Sequence, residues 1–367
     1  MEFPQEVLLP QKVIYNINSC LQVAEESIEC GRNGLIVHGK SLEKNGKIND
    51  ILAKFPASAK IECFCRGSGE PTISEIKKVI QRAKSIKAQW IVGIGGGSVL
   101  DLAKAAAGLY NAKENPEYYQ QGGALKEIGI PFIAVPTTAG SGAEATPNSV
   151  IIDEAKKVKL SIRDKSFLAK KVILDAGLLK CLPPSVMSYS GMDALVQGYE
   201  AFVSKNSTWF SDSFALKAID LINSNIVPAY KNPDDNNLSS LLLGSFFAGI
   251  ALASARLGVI HGIAHPLGVL YNEPHGLICS VCLIPSIEIN KKAMGEKYKT
   301  ISGVMGMDFT ERVKELLRTF EIQSPFKGQS MLEKEDIIIE TLKSGSTAAN
   351  PKKIEREDVE YILRQLS

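Results

Sequence analysis

The chain has 367 residues, of which 45% are hydrophobic and 22% charged, and a formal net charge of +2. That length exceeds one ordinary hydrophobic core and predicts two domains. The near-balanced charge argues against nucleic acid or a membrane surface as partner. No run of eighteen uninterrupted apolar residues occurs, so no transmembrane span is expected. The opening residues, Met1 to Glu6, have neither the basic nor the apolar segment of a secretory signal. Seven cysteines without a disulfide-type spacing suit a reducing cytoplasm. The basic pairs Lys77–Lys78 and Lys170–Lys171 read as solvated helix faces.

In chain order, a short extended piece leads into a helix-like run from Ile17 to Cys30, broken by the Gly31 to Gly34 turn. Leu35–Val37 reads as a buried strand entering a turn at His38, Gly39 and Lys40. Ile61–Cys65 is the next strand, and Ser74–Ile86 a helix. Trp90–Ile94 is a strand, Ser98–Gly108 a helix, and Pro131–Val135 a further strand. Strands alternating with helices predict a parallel sheet with right-handed crossovers. Residues 1–180 are therefore expected to form one α/β, Rossmann-like domain. From Cys181 the pattern turns helical, with candidates at 185–203, 207–230, 238–257, 259–269, 275–291, 294–304, 309–320, 333–344 and 355–366. Residues 181–367 read as an all-helical second domain.

Gly93 to Asp101 contains Gly95, Gly96, Gly97 and Ser98, and it follows a strand and opens a helix. Residues without a Cβ let a pyrophosphate approach the backbone, and the helix N-terminus stabilises its charge. Ser98 can cap that helix, and Asp101 falls in its first turn, where a carboxylate suits the dipole. A second small, hydroxyl-rich loop, with Thr137, Thr138, Ser141 and Thr146, follows another strand. Ligands in open α/β sheets lie at the carboxyl ends of strands.

The chain holds four histidines, and three of them, His261, His265 and His275, fall between Val259 and Gly276. Imidazole is a common metal ligand and the usual proton carrier near neutral pH. His261 and His265 are four apart and share a face if helical, so spacing alone pairs them as ligands. Cys279 and Cys282 form a Cys-x-x-Cys in an apolar run and read as buried core thiols rather than a redox or zinc motif.

Together, Gly-Gly-Gly-Ser-x-x-Asp at 95–101, Pro-Thr-Thr-Ala-Gly-Ser-Gly-Ala-Glu at 136–144, Gly-Met-Asp-Ala-Leu at 191–195, His-Gly-Ile-Ala-His-Pro-Leu-Gly at 261–268, Pro-His-Gly at 274–276 and Ala-Asn-Pro-Lys at 349–352 resemble the iron-containing, group III alcohol dehydrogenases. The matches run along nearly the whole chain. The resemblance implies a dehydroquinate synthase-like fold, with a dinucleotide-binding domain, a helical domain and a cleft between them. It implies hydride exchange between a nicotinamide cofactor and a primary alcohol or aldehyde, a divalent metal, Fe²⁺ or Zn²⁺, and a homodimer. It places metal ligands at Asp193, His261 and His275, and gives His265 a proton-relay or substrate-orienting role instead of a ligand role. It places Lys159 near the cofactor, Leu178 near the adenine, and Thr137, Thr138 and Thr146 along the nucleotide. The family's remaining metal histidine falls on Gln197, whose neutral amide is a poor substitute for imidazole.

NAD-specific folds usually carry an acid near the relevant strand end, to bind the ribose 2′-hydroxyl. Relatives that use NAD place an Asp at or next to Gly39. Gly39, with Lys40 and Ser41, therefore predicts NADP(H) in preference to NAD(H). Two neighbouring readings are a reductase of polar aldehydes or keto acids, of the glycerol dehydrogenase or maleylacetate reductase type, and a non-redox cyclase of the dehydroquinate-synthase type. The second needs basic residues for a phosphorylated substrate, and 259–276 has none.

Overall fold

The computed structural model describes residues 4–156, 158–329 and 331–367. The chain divides into two compact units. One comprises Leu8–Thr138 and Ala143–Cys181. The other comprises Leu182–Ser367 together with Ala139–Gly142 and the N-terminal stretch through Val7.

The first unit contains β1 (Lys12–Tyr15), β2 (Asn33–Gly39), β3 (Lys60–Arg66), β4 (Trp90–Gly95), β5 (Phe132–Pro136), β6 (Asn148–Asp153), β7 (Val158–Arg163) and β8 (Lys171–Leu174). Its α-helices are α1 (Val23–Ile28), α2 (Lys40–Lys44), α3 (Lys47–Leu52), α4 (Ile73–Ser85), α5 (Gly97–Gly108) and α6 (Pro116–Gln120). Six strands form one parallel sheet in the order β1-β8-β5-β4-β2-β3. β4 and β5 are buried along their whole lengths, as expected of strands covered on both faces. α5 lies unusually close to β4. A Cβ at Gly95 would stand 2.5 Å from Val99, and one at Gly93 would stand 2.9 Å from Ala103.

β6 and β7 pair as an antiparallel hairpin, and β8 joins the sheet beside β5 and β1. The expected element pattern contained none of these three strands. The helix-like run at 17–30 is a 3₁₀ turn, Ser19–Gln22, followed by α1. Lys171 does not lie on a solvated helix face. It is buried on β8, and its ammonium donates to Glu26 Oε2 at 2.7 Å and to Glu29. Burial of a lysine requires such pairing.

The second unit contains α7 (Pro184–Val203), α8 (Trp209–Lys231), α9 (Asp235–Ala255), α10 (Val259–Tyr271), α11 (His275–Met294), α12 (Glu296–Met305), α13 (Phe309–Thr319), α14 (Lys334–Lys343) and α15 (Arg356–Leu366). Among the described residues it has no strand. α9 is long and apolar, with mean hydropathy 1.8, and it is largely buried, packed with α7 and α8. Thr208 caps α8 reciprocally with Ser211, and Asp234 caps α9 through the Asn237 N–H. These caps fix where the long helices begin.

Candidate active site

α7 carries two buried acids, Asp193 and Glu200, seven residues apart, with Gln197 between them on the same face. α10 begins one residue after Gly258 and brings in His261. α11 begins at His275. Glu200 organises the entry to α10. Its Oε1 accepts the Ile260 N–H at 2.7 Å, satisfying a free donor of the first turn, and its Oε2 lies 2.7 Å from His261 Nδ1. Gly258 is required for this approach, because a Cβ there would stand 2.7 Å from Glu200 Oε1.

With Nδ1 held by Glu200, His261 turns Nε2 toward Asp193 Oδ1 at 3.4 Å, and His275 Nε2 lies 3.9 Å from the same oxygen. Asp193 Oδ1, His261 Nε2 and Gln197 Oε1 are buried without a hydrogen-bond partner. The 3.4 Å pair is close in space but lacks hydrogen-bond alignment. Burial opposes charge on His261, yet the adjacent carboxylates of Asp193 and Glu200 outweigh burial and raise its pKa to about 9. Burial alone would raise the Asp193 carboxyl, but His261 and His275 hold it below its ordinary value. Leaving such atoms unsatisfied costs about 1–3 kcal/mol each, so the approach of Asp193 Oδ1 and His261 Nε2 fits a cation held between them.

Donor atoms of Asp193, His261, His275 and Cys279 all lie within 4.8 Å of one another. His265 is not in this group. It lies one turn beyond His261, and its ring stacks on His275 at 5.7 Å between centroids. Spacing alone pairs His261 with His265, and the fold overturns that pairing: α11 returns His275 to the place a second ligand would occupy. Gln197 donates from Nε2 to Asp193 Oδ2 at 3.1 Å. Cys279 is fully buried, as read from the sequence, and its Sγ also lies 3.6 Å from His275 Nε2. Cys282 is fully buried and does not join the cluster.

In the α/β unit, β2, β4 and β5 lie side by side, so their C-terminal ends share one sheet edge. Chain order reverses direction between β2 and β4, the type of position where α/β sheets bind ligands. Gly39 ends β2 and caps α2, so it enters a helix instead of a turn, with Lys40 and Ser41 in the first turn of that helix. Gly95 ends β4, Gly96 is the N-cap of α5, and Gly97 is its first residue. Thr137 and Thr138 follow β5, and Thr138 approaches Gly96. Glu43 returns on α2 to within 4.0 Å of His38 Nε2, so an acid lies nearer this edge than the sequence suggests.

Two expected placements here need correction, those of Ser98 and Asp101. Ser98 is not the helix cap; its Oγ accepts from Arg66 Nη1 at 3.2 Å. Asp101 lies beyond the first turn, because α5 starts at Gly97, and its Oδ2 accepts the Val150 N–H at 3.0 Å. Thr146 Oγ1 receives Lys104 Nζ at 3.2 Å. Lys159 pairs with Glu70 at 2.6 Å. Leu178 is buried in the 3₁₀ turn Ala176–Leu179. Ser141 falls in the segment that belongs to the helical unit.

Sequence reasoning missed Glu200, Arg66 and Lys104. Glu200 was discoverable as the second acid on an apolar helix, at heptad distance from Asp193. Arg66 ends β3 opposite Gly39 and donates to the carbonyls of Gly67 and Gly69. Lys104 is fully buried and donates to the carbonyls of Ala143, Thr146 and Asn148. Nothing local in the sequence marks a lysine as buried.

A family model described as "Iron-containing alcohol dehydrogenase" matches residues 10–176, and one described as "Fe-containing alcohol dehydrogenase family, C-terminal" matches 187–367. The lactaldehyde reductase of Escherichia coli is 30% identical over 298 residues, covering 80% of this chain and 78% of that protein. The NADPH-dependent butanol dehydrogenase of Clostridium saccharobutylicum is 26% identical, covering 97% of this chain and 96% of that protein. The crystal structure of a 1,3-propanediol oxidoreductase superposes with a TM-score of 0.94 at 26% identity, covering 100% of each chain. An alcohol dehydrogenase from Oenococcus oeni superposes at 0.93 and 27% identity, covering 99% of this chain and 100% of that chain. Both halves are matched in order, and the parallel sheet and the helical Asp–His–His cluster stand in the matched segments; the chain belongs to the iron-containing alcohol dehydrogenase family.

Proposed function

We propose that the protein is a metal-dependent reductase of small aldehydes that prefers NADP(H), with Asp193, His261 and His275 as metal ligands and His265 as the proton relay. Membership of the family makes it an oxidoreductase that interconverts an alcohol and its aldehyde with a nicotinamide cofactor. The observation that supports the metal assignment is the convergence of buried, unpartnered Asp193 Oδ1 and His261 Nε2. When bound, a divalent cation, Fe²⁺ or Zn²⁺, supplies Lewis acidity toward a carbonyl oxygen and the nicotinamide supplies hydride.

The chain's own residues do the rest. Glu200 fixes the His261 tautomer, so that Nε2 faces the cluster with a lone pair once deprotonated. Gln197 orients the Asp193 carboxylate through its far oxygen. His265 is half-buried and stacked on His275, which supports its assignment as the group that passes a proton to the alcohol oxygen as the aldehyde is reduced. Gly95, Gly96 and Gly97 offer backbone N–H groups at the N-terminus of α5 to the pyrophosphate. Ser98, Asp101, Thr137, Thr138, Ser141, Thr146, Lys159 and Leu178 belong to the same assignment by family resemblance.

Gly39 supports the NADP(H) preference: it carries no carboxylate to repel a 2′-phosphate, and Lys40 adjoins it. The resemblance also supports a cytoplasmic homodimer, for which light scattering should give twice the 39.8 kDa chain mass. The deciding assay compares chelator-stripped protein with protein reloaded with Zn²⁺ or Fe²⁺. NADPH oxidation is followed with butanal and lactaldehyde. Turnover should require metal and exceed that with NADH; full turnover by stripped protein refutes the metal assignment.

A further inference from the structure

We infer that Cys279 is a metal ligand, and that its thiolate, instead of the amide of Gln197, completes a donor set with Asp193, His261 and His275. The inference rests on the metal site proposed above and deepens it.

Cys279 lies four residues after His275, one turn along α11, so both side chains leave the same helix face. Its Sγ stands 3.6 Å from His275 Nε2, while His261 Nε2 stands 3.4 Å and His275 Nε2 3.9 Å from Asp193 Oδ1. Metal–nitrogen and metal–sulfur bonds of about 2.0 and 2.3 Å at tetrahedral angles set ligand-to-ligand edges of about 3.3–3.6 Å. Those three edges are near these values, and all four donor atoms lie within 4.8 Å of one another. The thiol is fully buried, so it does not face solvent as an adventitious thiol would. Gln197 directs its amide N–H to the far oxygen of Asp193. A neutral amide is also the poorer donor for a borderline-soft cation, and a thiolate is among the better ones.

As the sulfur–metal bond forms, the Cys279 S–H bond breaks and its proton leaves to solvent. The resulting nitrogen, oxygen and sulfur set suits Zn²⁺ or Co²⁺, and substrate would enter as a fifth donor.

The test is cobalt substitution of the full-length protein, read by absorption spectroscopy. Wild type should show the visible bands of four- or five-coordinate Co²⁺ together with a near-ultraviolet thiolate-to-metal charge-transfer band. Cys279→Ala should lose the charge-transfer band and weaken Zn²⁺ binding by at least about tenfold, the low end of what second-shell losses alone cause. Cys282→Ala should keep the band. Cys279→Ser, with a near-isosteric side chain, serves should the alanine variant fail to fold. Visible bands without charge transfer in wild type overturn the inference, as does a charge-transfer band that survives in Cys279→Ala. Failure of wild type to bind Co²⁺ or Zn²⁺ overturns it too. A charge-transfer band in a protein that lacks metal-dependent aldehyde turnover upholds the ligand set and refutes the proposed reaction.

Discussion

Glu200 and His261 are joined at 2.7 Å, Oε2 to Nδ1, and this bond decides which imidazole nitrogen faces Asp193. A carboxylate behind an imidazole fixes its tautomer and raises its basicity. Glu200→Gln keeps the shape and removes the charge. It should weaken Zn²⁺ binding by about ten- to hundredfold in a competition titration. Unchanged affinity would show that Glu200 serves only as the cap of α10.

Removing an imidazole outright should do more. His261→Ala or His275→Ala should abolish both bound metal, measured by elemental analysis, and aldehyde turnover. Gln197→His should act in the opposite direction, raising retention of Fe²⁺ or Zn²⁺ through dialysis against chelator, because imidazole is the better donor. Identical retention in Gln197→His and wild type would place residue 197 outside the metal's reach.

Gly39 offers a clean test of cofactor choice. A Cβ there would meet its nearest neighbours at 3.7 Å and 3.9 Å, ordinary contact, so a side chain can be added without displacing the backbone. Gly39→Asp should shift the ratio of kcat/KM for NADPH over NADH by roughly ten- to hundredfold toward NADH, about 1–3 kcal/mol. Glu43→Gln, which removes the acid near His38, should move the ratio toward NADPH. Wild-type preference for NADH in steady-state kinetics would contradict the argument.

Burial pushes the Glu144 carboxyl up to about 7 from 4.5. Between those values the folded chain keeps a proton that the unfolded chain has lost. The stabilising contribution is therefore complete below 4.5 and is lost as pH rises through about 7. Its full loss is on the order of 3 kcal/mol. Glu144→Gln stays neutral throughout. Urea denaturation should find it more stable than wild type at about pH 8 and equal at about pH 4, with the difference opening across the interval. Parallel stability curves would exclude Glu144 as the source.

The helices of the second unit were legible because apolar periodicity and punctuation by Pro, Gly and Asn agree there; α7, α10 and α11 begin within one residue of their expected starts. The parallel core was legible from β2 to β5 for a similar reason, since buried strands read as short apolar runs. β6, β7 and β8 were not. β7 presents four exposed or half-exposed positions before its one buried residue, and β8 opens on a lysine whose burial depends on Glu26, 145 residues earlier. At the candidate site, residue types were visible and partners were not. Three histidines marked the place. Which two share Asp193, and that Cys279 stands with them, follows from the return of α11 beside α10 and α7, which spacing along one helix does not encode.

The sheet order has a kinetic consequence. β1 is laid down first during synthesis, yet its partner β8 lies about 160 residues downstream, at Lys171–Leu174. Until that segment leaves the ribosome, β1 has no neighbour and the exposed edge of β5 has no cover. Closing so long a loop is slow, and an uncovered parallel edge is a template for pairing with another chain. Chains truncated before Lys171 should therefore accumulate as aggregates, while chains extending past Leu174 can complete the sheet before the helical half has been synthesised.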